Sequence, residues 1–229
     1  MQAVVLVAGK GTRMAKYYAG PKQLLPVAGK PVVEHSLDLL PPEIGELVFV
    51  VGGPHEAVLR EHFRRGSYGS RKITFVVQEQ QLGLAHAFRV ARSMVRGRWL
   101  GMVGDDIFGP RGLQELVKHE LSVLAARVRN PEKFGVLVRD SEGYLQRSIE
   151  KPKEYISDLV WTGAMVMDEC FFEAEVKPSA RGEYETPDVW MKLIEQGARI
   201  KVIEADFWLP INDKAQLEEA ERLLGERSE

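Results

Sequence analysis

Residues 2–22 read QAVVLVAGKGTRMAKYYAGPK, and this stretch decides the fold. Ala3-Val4-Val5-Leu6-Val7 is a continuous, β-branched apolar run, the pattern of a strand covered on both faces. It breaks into a loop of small residues, Ala8-Gly9-Lys10-Gly11-Thr12-Arg13, and nine residues after Arg13 a second cation, Lys22, follows a Gly20-Pro21 turn. Glycines let the backbone approach a ligand closely and aim N–H groups at its oxygens. Cations just beyond neutralise the charge. A strand feeding a glycine loop backed by two cations suits a polyphosphate, so the chain reads as a nucleotide-using enzyme.

Outward from this stretch, strands and helices alternate. A helix is expected from Pro31, with Val33, Leu37 and Leu40 inward and Pro41-Pro42 as its stop. A buried strand at 46–51 turns through Gly52-Gly53-Pro54 into a helix carrying Val58, Leu59 and Phe63. A third strand at 73–77 leads to a helix at 84–95, whose inner face holds Leu84, Ala87, Phe88, Ala91, Met94 and Val95. A fourth strand, 99–103, ends in Gly104-Asp105-Asp106, and Pro110 opens the next helix. Repeated strand–helix order predicts a parallel, doubly wound sheet, with ligands beyond the carboxyl ends of its strands. The polar loops at 9–13, 78–83 and 104–106 fall at such ends. The second half differs. Residues 134–138 and 144–149 flank a hairpin signal at 139–143. A strand is expected at 159–167, a helix from Thr186-Pro187-Asp188 to Gly197, a strand at 200–203 and a closing helix at 214–224. The expected fold is α/β: three-layer, doubly wound, with a mainly parallel mixed sheet and a small β-rich elaboration packed on one edge. No linker or repeat divides it, so 1–229 reads as one domain.

Composition narrows the partners. With 31 Lys and Arg against 33 Asp and Glu, the net charge of −2 offers no global field for nucleic acid and no polybasic membrane patch. No run reaches the ~20 apolar residues of a membrane span, and the N-terminal run is too short for a secretory core. The expected location is the cytoplasm. The single cysteine, Cys170, cannot form an internal disulfide and reads as a packing residue beside Phe171 and Phe172. His35, His55, His62, His86 and His119 are dispersed without metal-ligand spacing and read as surface or packing residues.

Two common nucleotide loops fail on spacing. The dinucleotide fingerprint needs a third glycine where Met14 stands, and no glycine lies in frame for a P-loop. The continuation is more specific. LVAGKGTRM at 6–14 and PKQLLPVAGKP at 21–31 are followed by QEQQLGLAHAF at 78–88 and VGDDIF at 103–108. Then come KFGV at 133–136, IEKP at 149–152, WTGAMVMD at 161–168 and KPSARGEYETPDV at 177–189. In this order and spacing, across nearly the whole chain, they resemble the sugar-1-phosphate nucleotidyltransferases. That family joins a nucleoside triphosphate to a sugar-1-phosphate and releases pyrophosphate on a Rossmann-like fold.

The resemblance implies roles. Arg13 and Lys22 would be the catalytic cations, Arg13 clamping the β- and γ-phosphates with its planar fork and Lys22 meeting the α-phosphate as a point charge. Leu6, Ala8, Gly9, Gly11 and Thr12 would line the nucleotide, and Gln78 and Gly83 would read the base. A glutamine amide offers donor and acceptor, which suits uracil or thymine. Asp105 is placed to ligate Mg²⁺, which prefers oxygen ligands and bridging phosphate. Where the thymidylyltransferase branch has Trp-x-Asp, this chain has Trp208-Leu209-Pro210, and proline cannot coordinate. Ile211-Asn212-Asp213 resembles the N-acetylglucosamine-1-phosphate uridylyltransferase pattern instead, which assigns the second ligand to Asn212, with Asp213 as fallback or as the cap of the last helix. On the acceptor side, Lys151 would hold the sugar phosphate, Glu150 and Asp106 the hydroxyls, and Gly135 would allow close approach. Trp161 and Thr162 would line the same pocket, and Trp161, standing where the N-acetylhexosamine enzymes carry Asn, argues against an acetamido sugar. Glu183 has a capping or a ligand role. UTP and dTTP both fit, with UTP favoured and glucose-1-phosphate as the acceptor. A mannose-1-phosphate guanylyltransferase and a catalytically silent sugar-nucleotide-binding regulatory subunit are the alternatives. Assembly into a homo-oligomer is compatible with the family. No left-handed β-helix repeats follow Leu224, so no attached acyltransferase domain is expected.

Overall fold

The computed structural model describes residues 1–9, 11 and 14–226. Its first strands are β1 (Gln2–Leu6), β2 (Pro26–Val27), β3 (Lys30–Pro31), β4 (Glu46–Val51), β5 (Ser67–Tyr68), β6 (Arg71–Val77) and β7 (Trp99–Val103). The later ones are β8 (Asp106–Phe108), β9 (Ser122–Arg127), β10 (Gly135–Arg139), β11 (Leu145–Glu150), β12 (Leu159–Met167), β13 (Lys201–Glu204) and β14 (Trp208–Pro210). The helices are α1 (Val32–Asp38), α2 (Glu56–His62), α3 (Leu84–Arg89), α4 (Pro110–Leu116), α5 (Cys170–Glu173), α6 (Thr186–Glu195) and α7 (Lys214–Gly225).

The main sheet runs in the order β11-β10-β12-β7-β1-β4-β6-β5, with β9 beside β12 and β13 beside β9. β6, β4, β1 and β7 are parallel neighbours, as the strand–helix alternation predicts. The order of these strands reverses at β1: the chain builds outward through β4 and β6, then returns to β1's other side with β7. The carboxyl ends of β1 and β7 therefore part to form a crevice. The strand-rich second half joins this edge by backbone hydrogen bonds, because β12 runs antiparallel to β7.

Apolar side chains on opposite sheet faces make two cores. One packs α3, α5 and α6 around Phe88, Trp99, Phe171 and Trp190. The other packs α1, α2 and α4 through Leu37, Leu59, Leu113 and Leu116 against Phe49 and Leu100. These two helical layers and the sheet make the expected three-layer α/β fold. A third, smaller cluster joins Met14, Leu25, Val27 and Val32 to Ile107, Ile211 and Ala220 of α7. It fixes the exit of the glycine loop against the strand that carries Asp106.

Several expectations change. The segment at 84–95 is not one helix: α3 stops at Arg89, and Ala91 N–H bonds Phe88, tightening into the 3-10 turn Arg92–Met94. That rotation carries Met94 outward, and Leu84 is exposed too. Val58 also faces water, while Leu59 and Phe63 at four-residue spacing are buried. β9, β8 and β14 were not expected from the sequence. Among the described residues no helix is long and apolar enough to cross a membrane.

β12 holds the opening for the site. Its first part pairs with β10 at Val160, and its later part, from Ala164, pairs with β7. Between them Gly163 takes φ +95°, and a Cβ there would lie 2.6 Å from Val103 Cγ2. Only glycine satisfies both the left-handed backbone and the close approach. The sheet splits at this point, and a cleft opens between the ends of β7 and β10.

Candidate active site

The crevice between β1 and β7 holds the most tightly built part of the site. Ala8 and Gly9 leave β1, and Gly104 leaves β7 with its N–H bonded to Leu6 O at 2.9 Å. Gly11 packs directly on Lys22, whose Cβ lies 3.4 Å from where a Gly11 side chain would begin. Lys22 sits in a 3-10 turn after Pro21 and is only 4% exposed. Its Nζ lies 2.9 Å from Asp105 Oδ2 and 3.6 Å from Asp106 Oδ1. Residues 83 or more positions apart are thus joined beneath the glycine loop. Two carboxylates compensate a buried ammonium that would be costly alone.

Asp106 is held from several sides. Trp208 Nε1–H donates to its Oδ2 at 3.1 Å, because β14 pairs with β8 and sets Pro210 opposite Asp106. Ser36 Oγ–H donates to its carbonyl, and the same Oγ accepts from Phe108 N–H. Burial, and then the neighbouring Asp105 charge, push the Asp106 carboxyl up to about 7. Lys22, the Trp208 indole and the Ile211 backbone pull the other way. Asp106 does border the cleft assigned to the sugar. Its Oδ2 accepts from the Trp208 indole and its Oδ1 lies 3.6 Å from Lys22 Nζ, so both oxygens have a neighbour within the protein.

The base-reading candidates lie at the end of β6. Gln78 N–H donates to Val51 O at 2.7 Å, which ties its backbone to β4, and its side chain is almost fully buried. Its Nε2 lies 3.0 Å from His86 Nδ1 and 3.5 Å from Gly83 O. Gln81 Nε2–H donates to Ala8 O at 2.5 Å, linking this loop to the loop after β1. Gly83 has φ +97°, and a Cβ there would lie 2.7 Å from Tyr184 O. It is needed for packing, whatever it offers a base. His86, read from the sequence as a surface or packing residue, is instead the hydrogen-bond partner of Gln78. Burial, then Arg89, hold its ring below the usual imidazole value.

The cleft at the split in β12 has a volume of about 1240 Å³, and Asp105 and Asp106 are among the residues that line it. Gly135, Glu150 and Lys151 line one wall, with Trp161 and Thr162 behind. Lys151 takes a left-handed backbone, φ 45°, and its half-exposed Nζ lies 3.1 Å from Glu150 Oε1. Glu150 also faces Arg181, which pairs with Glu185 at 2.7 Å and reaches Glu183 at 3.6 Å. Glu183 is therefore part of a carboxylate set around Arg181. Trp161 donates its Nε1–H to Ala164 O at 2.9 Å and meets Trp190 edge-on, so it offers the cleft an apolar surface only. The Thr162 hydroxyl donates to Leu124 O at 3.0 Å and is likewise spent inside the protein.

At the opposite wall, Asn212 lines the cleft and its backbone N–H donates to Gln216 Oε1 at 2.7 Å. Asp213 caps α7, its Oδ1 accepting from Gln216 N–H at 2.9 Å. Asp213 is thus the cap, and Asn212 has the freer side chain. Among the described residues no group of three or more His, Cys, Asp or Glu could hold a metal ion. Mg²⁺ bound with a nucleotide commonly uses one or two protein carboxylates and takes its other oxygens from phosphate and water. Asp105 and Asn212, both lining the cleft, offer oxygen donors of the kind such a site uses.

Thr12 and Arg13 lie outside the described residues. Arg127 and Arg129, which carry no motif in the sequence, also border the cleft, as does Lys133, the first residue of KFGV. They sit at the end of β9 and on the turn after it, and Arg127 is held by Asp158 at 2.6 Å and Glu204 at 3.4 Å. The sequence signal is two arginines just before KFGV, whose first residue is Lys133, and the strand that places them has no periodic pattern of its own. Cys170 is inert, its thiol pushed up to about 12 by burial and Asp168.

The geometry is that of a buried, charged crevice beside a polar cleft, and comparison with known proteins gives the chain a family. The sequence pattern of the nucleotidyl transferase family matches residues 2–226, so the chain belongs to that family. It is 35% identical over 240 residues to the UTP–glucose-1-phosphate uridylyltransferase AglF of Haloferax volcanii, covering 100% of this chain and 98% of that protein. It is 34% identical over 217 residues to the bifunctional protein GlmU of Methanococcus vannielii, covering 91% of this chain and 51% of that one. The chain thus spans about half the length of the GlmU relatives it matches. The fold matches the structure of a candidate glucose-1-phosphate thymidylyltransferase from Bacillus anthracis in complex with sucrose. There the TM-score is 0.85 at 27% identity, over 98% of this chain and 95% of that one.

Proposed function

We propose that this protein transfers a nucleotidyl group from UTP or dTTP to a sugar-1-phosphate, giving a nucleoside-diphosphate sugar and pyrophosphate. UTP and glucose-1-phosphate are the favoured pair. The observation that carries the reading is Lys22, buried under the glycine loop with its ammonium 2.9 Å from Asp105, which lines the acceptor cleft. The full-length likeness to a protein named for UTP and glucose-1-phosphate supports the choice of substrates.

In the reaction an oxygen of the sugar phosphate forms a bond to the α-phosphorus. The bond from that phosphorus to the bridging oxygen breaks, and its electron pair leaves with pyrophosphate. Both reactants are polyanions, so catalysis consists mainly of alignment and charge neutralisation. Lys22 meets the α-phosphate, moving from its carboxylate partners to the incoming anion. Arg13, beside the loop in sequence, serves the β- and γ-phosphates. Leu6, Ala8, Gly9, Gly11 and Thr12 line the triphosphate, and Gln78 and Gly83 the base. Lys151 holds the acceptor phosphate, with Glu150 and Gly135 at the sugar. Asp105 and Asn212 would hold Mg²⁺, which neutralises phosphate charge when bound. The acceptor phosphate is already ionised and needs no strong general base, and among the described residues no histidine lines the cleft.

A pyrophosphate-release assay with Mg²⁺, crossing UTP, dTTP, GTP, ATP and CTP with several sugar-1-phosphates, tests this directly. The expected result is fastest turnover with UTP and glucose-1-phosphate. Preference for GTP with mannose-1-phosphate would move the assignment to a guanylyltransferase. No turnover with any pair would leave a sugar-nucleotide-binding regulatory protein.

A further inference from the structure

Gln78 is a side chain that could face a base in either of two ways, because its amide exchanges donor for acceptor by a half turn. The structure restricts that choice. The nitrogen lies 3.5 Å from Gly83 O, and a carbonyl can only accept. The amide nitrogen rather than its oxygen therefore belongs on that side. The same nitrogen lies 3.0 Å from His86 Nδ1, so that ring atom must present a lone pair and the ring proton must sit on Nε2. Both N–H groups of the amide are then used within the protein. Gln78 Oε1, on a side chain that is 4% exposed, accepts no hydrogen bond from any described residue. The imidazole is itself held in place. The Tyr184 ring stacks on it at 6.3 Å and 29°, and Tyr184 is fixed by its carbonyl to Ala85 N–H and by its own N–H to Leu82 O.

We infer that His86 is a positioning residue that, as the Nε2–H tautomer, locks the Gln78 amide with its oxygen toward the nucleotide, so that the site takes a base offering an N–H donor at that edge. Uracil and thymine offer such a donor at N3, and cytosine offers a lone pair in the same place. The selection against cytosine is thus set by the tautomer of a histidine that never touches the base. This rests on the reading of Gln78 as the base-reading residue. An uncharged ring is required, since imidazolium would donate from Nδ1 and turn the amide round. Burial among α3 and the Tyr184 segment favours the uncharged form.

Calorimetric titration of the Mg²⁺ complexes of UTP, CTP, dTTP and dCTP measures the discrimination without depending on turnover. Wild type is compared with His86→Phe, His86→Gln and Gln78→Ala. The expected result for His86→Phe is a uracil-over-cytosine affinity ratio reduced about ten-fold, the scale of one buried hydrogen-bond preference. His86→Gln, whose side-chain oxygen can accept the same N–H, should recover most of it. An unchanged ratio in His86→Phe alongside a reduced ratio in Gln78→Ala overturns the role of His86 and leaves the base reading intact. An unchanged ratio in Gln78→Ala removes the base reading itself. Should His86→Phe not fold, nitrogen NMR of the wild-type imidazole decides: an unprotonated Nδ1 is expected, and a proton on Nδ1 overturns the inference.

Discussion

The two halves of the site are built differently. Around the ends of β1, β6 and β7, where the triphosphate is proposed to bind, the polar groups are buried and mutually locked: Lys22 on Asp105, Trp208 on Asp106, Gln78 on His86, Gln81 on Ala8 O. Along the cleft at β12, proposed for the acceptor, the charged groups stand at the rim. Lys151 is half exposed on Glu150, Arg181 is shared among several carboxylates, and Arg127 bridges surface acids. A rigid crevice suits a ligand part that never varies, the phosphate chain where bonds are exchanged, since preorganised charge costs no rearrangement during reaction. A rim of solvated ion pairs suits recognition of an acceptor, where each contact contributes little alone. The contrast predicts that substitutions in the crevice damage chemistry and folding together, while those at the rim shift acceptor affinity alone.

The largest effect should come from Lys22→Met. It removes a cation from the α-phosphate and strands Asp106 beside Asp105 without compensation. Turnover should fall at least ~10²-fold, the scale of losing one electrostatic stabiliser. Stability should fall by about 3 kcal/mol, as for breaking a buried ion pair. Pyrophosphate release and urea unfolding measure the two. Asp105→Asn keeps the shape and should lose a similar factor in rate with a smaller cost in stability, because Asp105 is partly exposed. Near-wild-type turnover in either variant would break the contrast at its strongest point.

The same contrast explains what the sequence could disclose. β1, β4 and β12 were legible because their apolar runs are long and uninterrupted, and α6 and α7 because their apolar residues recur at helical spacing. Lys22 and Asp105 could be proposed separately, from a glycine loop and from a strand end. Their 2.9 Å contact depends on β1 and β7 being neighbours, which follows from the doubly wound order. β9 was not legible. Ser-Val-Leu-Ala-Ala-Arg is alanine-rich, poor in β-branched residues and without alternation, so only its partners β12 and β13 make it a strand. Arg127 at its end and the basic turn after it went unplaced for that reason. β8 and β14 have three residues each and pair only with one another, beyond the reach of any periodicity. His86 carries a signal that exists only in three dimensions: a ring nitrogen opposite an amide.

A smaller effect, confined to one kinetic constant, is expected at the rim. Lys151→Ala removes a half-exposed ammonium whose protein partner, Glu150, keeps Arg181 nearby. The fold should be unaffected within about 0.5 kcal/mol, as for a surface substitution. KM for the sugar phosphate should rise about ten-fold, as for one lost charge-assisted contact, with KM for the triphosphate unchanged. A matched rise in both constants would mean that the two halves are not independent.

The smallest effect separates lining the cleft from acting in it. Thr162 stands in the acceptor cleft, yet its hydroxyl donates to Leu124 O at 3.0 Å and the residue is 2% exposed. Thr162→Val retains the branched shape and removes only that hydrogen bond, leaving one buried carbonyl lone pair unpaired. Stability should fall by about 1–2 kcal/mol, the cost of an unsatisfied buried acceptor, while both KM values and kcat stay within about two-fold. The opposite pattern, intact stability with a large rise in KM for the sugar phosphate, would show that the hydroxyl leaves Leu124 to meet the sugar. The acceptor wall would then rearrange on binding, where the triphosphate crevice is already set.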